Sequence, residues 1–282
     1  MKKIVALTLT LAMAFSMVAC GAKTEEAPAA TEEVVVETTE EVATEETTDA
    51  ETEATADAES AATADVKSEG VMTYEEYAAA ELDTEVVVET YVQAKQSWWE
   101  DKATVYTQDK DGAYFLYELA CSEEDYAKLV PGTKIKVTGY KGEWAGEVEI
   151  MDGTFEILEG SYIAEAEDVT ALLASEELIN HQNKFVTSKG MTVEASKDAE
   201  GNDVAFLYNW DGSGEDGNDL YFNVSLDGQT YTFTVESYLC DNTTDVYAAV
   251  KNLQIGDVVD MEGFLYWYEG VNPHITSLTV VE

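Results

Sequence analysis

A spacing occurs twice in this chain, and it limits the possible folds more than any other feature. Leu129, Gly132, Gly139 and Gly146 return as Leu253, Gly256, Gly263 and Gly270, each 124 positions later. Inside the first interval, odd and even positions separate. Ile135 and Val137 fall where Val259 and Met261 fall, with Lys134, Lys136 and Thr138 matching Val258, Asp260 and Glu262. Such alternation is the period of a half-buried strand. A fixed-offset recurrence means one structural unit built twice, so the sequence predicts two copies of a small β domain.

The elements around the repeat follow the same order in both copies. In the first, Thr73 and Glu76 make a capping-box pattern that opens a short helix ending near Leu82. Strands are predicted over 85–95, 103–108 and 113–120, with Asp111-Gly112 as the hairpin turn between the last two. Ser122 then caps a short helix ending near Leu129, and strands over 134–140 and 147–156 complete the copy. The second copy is predicted to have a helix over 169–181, a strand over 185–194 and an insertion. Strands over 220–225 and 230–239, a helix over 245–253, and strands over 258–265 and 274–281 follow. Gly139 and Gly263 fall near the ends of the fourth strands, where a barrel must bend, and read as shape residues.

Five strands with a helix between the third and fourth resembles the OB-fold, a small Greek-key barrel. The resemblance covers about 84–159 and 183–282. It implies a mainly β chain of two tandem five-stranded OB-fold-like barrels, each with short helices. Paired β-sandwiches are the alternative, and the helix between strands three and four argues against them.

The N-terminus is a different kind of sequence. Lys2 and Lys3 precede an apolar run, Ile4 to Val18, too short to span a bilayer and shaped like a secretory h-region. It ends in Met17-Val18-Ala19-Cys20-Gly21, which resembles the lipobox of bacterial lipoproteins, although Met17 stands where that family usually has Leu. The resemblance implies cleavage before Cys20, a diacylglycerol on its thiol, and an extracytoplasmic chain held at the bacterial cell membrane. Acyl chains contribute about 0.8 kcal/mol per buried methylene, so two or more anchor stably without a spanning helix. The alternative is an ordinary signal peptide cut near Ala19.

Residues 21–69 hold 16 acidic side chains against Lys23 and Lys67, and no aromatic ring. Such a stretch cannot bury a core and is expected to be a disordered acidic linker with a reach of about 40 Å. The domain organisation read from the sequence is a signal peptide (1–20), a low-complexity linker (21–69), a first OB-like domain (70–166) and a second (167–282).

The net charge is −43, and all 15 basic residues are lysines. Phosphate recognition leans on a basic surface and on arginine forks, so this reading counts nucleic acid as an unsuitable partner. Cys121 and Cys240 occupy equivalent places in the two copies and read as buried free thiols rather than a disulfide.

In the OB-fold the loops joining strands one to two and four to five frame the ligand face. Here those loops hold Trp98, Trp99 and Trp144 in the first copy, and Trp210, Trp267 and Tyr268 in the second. Rings beside acidic groups such as Glu100, Glu143 and Glu147 suit stacking on sugar faces. The ligand expected is therefore an oligosaccharide or cell-wall glycan, with an envelope-protein partner as the alternative. The segment from Asp211 to Asp219 is rich in oxygen ligands, with Asp211, Glu215, Asp216 and Asp219 as calcium candidates. It departs from the EF-hand pattern, because Asp216 stands at the sixth position where that loop has Gly. A solvated loop is the reading adopted, and no other cofactor is expected. With only His181 and His274, and no nucleophile or metal motif, the chain reads as a binding protein rather than an enzyme. A carboxylate-dependent hydrolase is the alternative.

One prediction rests on sequence alone. Replacing Cys20 by Ser should abolish incorporation of a palmitate analogue and release the chain from the membrane fraction; continued labelling would refute the lipobox reading.

Overall fold

The computed structural model describes residues 67–281; the leader, Cys20 and the acidic segment up to residue 66 lie outside the described residues. The described chain opens with α1 (Tyr74–Ala79), whose capping box is complete. The Glu76 amide donates to Thr73 Oγ1 at 3.1 Å, and the Thr73 amide donates back to Glu76 Oε2 at 2.9 Å.

The first barrel comprises β1 (Glu85–Lys95), β2 (Lys102–Gln108), β3 (Ala113–Ala120), α2 (Glu123–Lys128), β4 (Thr133–Trp144) and β5 (Glu147–Ser161). Its strands close in the order β1-β2-β3-β5-β4. The long β1 makes closure possible. Its first half pairs with β4 and its second half with β2, with an irregularity between Val92 and Ala94 where the strand changes partner. The seam is a short parallel pairing, Phe115 with Glu149 and Leu116 with Ile150. Ser122 caps α2 by accepting from the Asp125 amide.

A linking segment follows: β6 (Glu167–Asp168) and two 3-10 turns, Thr170–Leu172 and Glu176–His181. The sequence predicts one continuous helix there. Instead Ser175 adopts an extended conformation, and its side chain accepts from the Glu177 amide, starting a new turn and ending the old one.

The second barrel comprises β7 (Phe185–Glu194), β11 (Leu220–Leu226), β12 (Gln229–Val235), α3 (Asp245–Lys251), β13 (Val258–Phe264) and β14 (His274–Val281). Three two-residue strands, β8 (Ser196–Lys197), β9 (Asp203–Val204) and β10 (Leu207–Tyr208), lie in the insertion after β7. The pairing of β11 with β7 closes the ring β7-β11-β12-β14-β13, the order of the first barrel. The seam is again parallel, Thr234 with His274. The chain is therefore mainly β, with two closed five-stranded barrels in tandem. Strand β12 stops at Val235, short of the predicted 239, because the Leu239 and Cys240 amides turn back to the Glu236 carbonyl.

The repeated residues hold equivalent places. Leu129 and Leu253 are buried in their respective cores. Gly132 and Gly256 have φ of +90° and +94°, which glycine adopts without a Cβ penalty. Gly139 and Gly263 sit where the β4–β5 and β13–β14 pairings slip register. A Cβ there would lie 2.8 Å from the Met151 carbonyl oxygen and 2.2 Å from that of His274. Cys121 and Cys240 are both buried and unpaired. No helix among the described residues is long and apolar enough to cross a membrane.

Overpacking at a rigid backbone contact costs about 1–3 kcal/mol. Gly263→Ala is therefore expected to lower unfolding stability by about that much in denaturant titration; an unchanged midpoint would contradict the close approach to β14.

Candidate functional site

The two barrels use their equivalent faces differently. On β2 every residue from Ala103 to Gln108 is buried, although alternate side chains point away from the barrel core. Of the outward ones, Tyr106 and Gln108 are covered by the second barrel. Tyr106, paired across strands with Phe115, stacks on Phe264 with 4.5 Å between ring centroids, and Phe115 meets Tyr266 edge-on at 5.4 Å. Tyr106 Oη lies 2.7 Å from His274 Nδ1, and Gln108 Oε1 accepts from the Phe185 amide at 2.8 Å. The face that the OB-fold ordinarily offers to a ligand is, in the first barrel, the joint between barrels.

The corresponding face of the second barrel is open. Leu220, Phe222 and Val224 of β11 enter the core, so Tyr221 and Asn223 project outward, opposite Thr234 and Thr232 of β12. Over this platform lies a cleft of about 990 Å³, at the upper end of the range for ligand sites. One rim is Trp210, from the insertion between β7 and β11. The other is Tyr266 and Tyr268, from the loop between β13 and β14. Trp144, at the end of β4 of the first barrel, completes the wall. Its hairpin is fixed there: the Glu269 amide donates to the Ala145 carbonyl at 2.7 Å, and Trp267 packs so tightly on Gly146 that a Cβ would meet its ring at 2.9 Å.

The structure divides the six aromatic candidates. Trp144, Trp210 and Tyr268 share the cleft and are 62%, 76% and 50% exposed. Trp99 is exposed but lines a separate hollow of about 420 Å³ with Tyr117 and Tyr238. Trp98, its neighbour, is half-buried and donates its ring N–H to the Cys121 carbonyl at 2.9 Å. Trp267 packs against the second core and spaces the two barrels.

The calcium candidates are not gathered. Asp211 accepts from the Ser213 amide, Asp216 pairs with Lys251, and Asp219 accepts from the Ser237 amide and hydroxyl. Among the described residues no three such groups converge as a metal site. Sequence reasoning missed the platform of Tyr221, Asn223, Thr232 and Thr234, whose signal was the alternation within β11 and β12. It also missed the buried carboxylate Glu236, which carries no pattern at all, and it placed Glu147 beside the exposed rings of the ligand face, whereas Glu147 is buried.

Those carboxylates set the electrostatics. Glu147 is fully buried between the barrels; its Oε2 accepts from the Trp267 amide at 2.9 Å and from the Gln182 side chain at 3.2 Å. Burial nevertheless lifts its pKa to about 9. Burial raises Glu149 and Glu236 to about 7, with help from Glu118 and Asp219 respectively. In the opposite sense, burial pushes His274 down to about 3, so it is neutral beside Tyr106. The one lysine lining the cleft, Lys197, is already paired with Asp203 at 2.7 Å.

No protein-family model matches the chain, and no curated protein matches it. Among solved structures it is similar to a murine DNA-binding protein bound to double-stranded DNA, with 10% identity over 70% of this chain and 95% of that one, and a TM-score of 0.32. It is also similar to an Ifi202 HINa domain in complex with double-stranded DNA, at 8% identity, 71% and 96% coverage, and a TM-score of 0.31. A third, the tetrameric p202 HIN2, gives 11% identity, 72% and 96% coverage, and a TM-score of 0.30. At this distance the fold described above rests on strand pairing, not on these neighbours.

Two expectations are nonetheless corrected. Two of the similar solved structures are complexes with double-stranded DNA, where the sequence reading expected a glycan or envelope-protein ligand and counted nucleic acid as unsuitable; neither expectation is carried forward. The physical reason lies in the features on which those expectations rested. Net charge sums over surfaces that never meet a ligand, and loop tryptophans stack on any flat face, a base as well as a sugar.

The carboxylates generate a pH prediction. A carboxyl protonated in the folded state and ionised when unfolded makes stability fall as pH rises from its unfolded to its folded pKa. From pH 7 to 9 that fall belongs to Glu147, because Glu149 and Glu236 complete theirs by about 7. Thermal unfolding should therefore show Tm declining over this window in the native chain and a flatter profile in Glu147→Gln. Parallel profiles would contradict the assignment.

Proposed function

We propose that this chain is a non-catalytic binding module, tethered to the bacterial membrane through Cys20, whose ligand site is the open face of the second barrel. The observation that carries the reading is the inequality of the two barrels. One strand-two-and-three face is sealed by packing, while the other is left as an aromatic-walled cleft to which both barrels contribute. The groups around it are chiefly rings, amides and hydroxyls, with Glu236, Glu269, His274 and the paired Lys197 among them, a mix suited to holding a ligand. A compact organic molecule with a flat or apolar face fits it: the face lies on Trp210, Trp144 and Tyr268, and the polar edge meets Asn223, Thr232 and Asn272. The lipobox-like residues support the tether, which would carry the module at a distance from the bilayer.

The test is ligand-observed NMR on the full chain in nonionic detergent, screening small aromatic compounds, with a short DNA duplex titrated separately. Binding of a compound that Trp210→Ala weakens by about tenfold, with Trp99→Ala without effect, is the expected result. Saturable duplex binding insensitive to Trp210→Ala and Trp144→Ala would overturn the proposal and move the ligand surface elsewhere.

A further inference from the structure

Resting on that reading of the cleft, we infer that its ligand is an organic cation bearing an N–H donor, an ammonium or guanidinium group, received by Glu236 on the floor of the cleft. Glu236 follows β12, is only 9% exposed and lines the cleft. One of its oxygens, Oε1, accepts from the Tyr238 amide at 3.1 Å; the other, Oε2, is buried and makes no hydrogen bond of good geometry, the Gln96 side chain being the donor group nearby. A buried acceptor left unmade is costly and rare in folded proteins, and the residue that carries it lines a space large enough for a guest. The guest that satisfies it brings a donor, and preferably a charge, because charge-assisted hydrogen bonds are the strong ones.

The walls suit the same guest. Tyr266 and Tyr268 with Trp144 and Trp210 surround the approach, and aromatic faces attract cations through their negative quadrupole. The field is acidic, with Glu269 at the rim and Asp219 behind Glu236, while Lys197 is neutralised by Asp203. A ligand anion would meet no free positive group lining the cleft. An ammonium or guanidinium would meet a carboxylate below and rings at the sides.

Three probes of one shape separate the contributions: benzylamine carries charge and N–H, benzyl alcohol carries neither charge nor N–H, and benzyltrimethylammonium carries charge alone. Affinities are measured by ligand-observed NMR against the full chain in nonionic detergent, with Glu236→Gln and Trp210→Ala as variants. Benzylamine is expected to bind about tenfold more tightly than either comparator, and Glu236→Gln should erase that preference. Trp210→Ala should weaken all three. If all three bind alike, or if the preference survives Glu236→Gln, the cation inference is overturned while a Trp210 effect keeps the cleft as the site. If none binds, or Trp210→Ala changes nothing, the reading of the cleft falls as well. Circular dichroism of Glu236→Gln establishes that it is folded; should it not be, Glu236→Asp, which shortens the side chain and withdraws the carboxylate, replaces it and is expected to reduce the benzylamine preference, an unchanged preference overturning the inference.

Discussion

Everything at the candidate site depends on the packing of Tyr106 against Phe264 and His274. A tyrosine pointing out of its own barrel is an exposed ring unless something covers it, and here a second barrel covers it with a stacked phenylalanine and an imidazole at hydrogen-bond distance. Aromatic contact supplies apolar burial, and the hydroxyl finds its partner in a neutral ring, so no unmet polar group is left at this point of the joint. Once this contact fixes how the barrels meet, the β4–β5 hairpin must end beside the loop between β13 and β14. Trp144 then becomes part of a wall that the second barrel alone does not possess.

The repeat is thus symmetrical in scaffold and asymmetrical in use. Both copies keep the same strand order, the same parallel seam and the same glycine where two strands approach too closely for a side chain. They part on the outward face of the second and third strands. In the first copy that face carries Tyr106 and Phe115, large rings suited to dry packing. In the second it carries one ring, Tyr221, with the smaller polar Asn223, Thr232 and Thr234, and room above them. The buried carboxylates belong to this division: Glu147 sits in the joint and Glu236 beneath the cleft, and burial raises the pKa of each.

Much of the scaffold was legible in the sequence because its signals are local. Alternation marked β4 and β13, Asp-Gly marked the hairpin, and serine or threonine caps marked α1 and α2. The linking segment was misread because helical periodicity over 169–181 says nothing about Ser175 choosing an extended conformation and capping a new turn. The site was legible only in part. Loop position drew attention to Trp144, Trp210 and Tyr268, but the same argument drew in Trp98, whose ring N–H is tied to the Cys121 carbonyl, and Trp267, which packs on the second core. Which face is sealed and which is open depends on contacts between residues more than 150 positions apart, such as Tyr106 with His274. No periodicity encodes that, and for the same reason neither composition nor net charge could name the ligand.

The central claim is that the first barrel's face is closed and the second's is open. Hydroxyl-radical footprinting of the full chain, read by mass spectrometry at single residues, measures it directly. The account predicts that Tyr106 and Phe115 are protected while Tyr221, Trp144 and Trp210 are oxidised. Comparable oxidation of Tyr106 and Tyr221 would contradict it, because the joint that shapes the cleft would then not exist in solution.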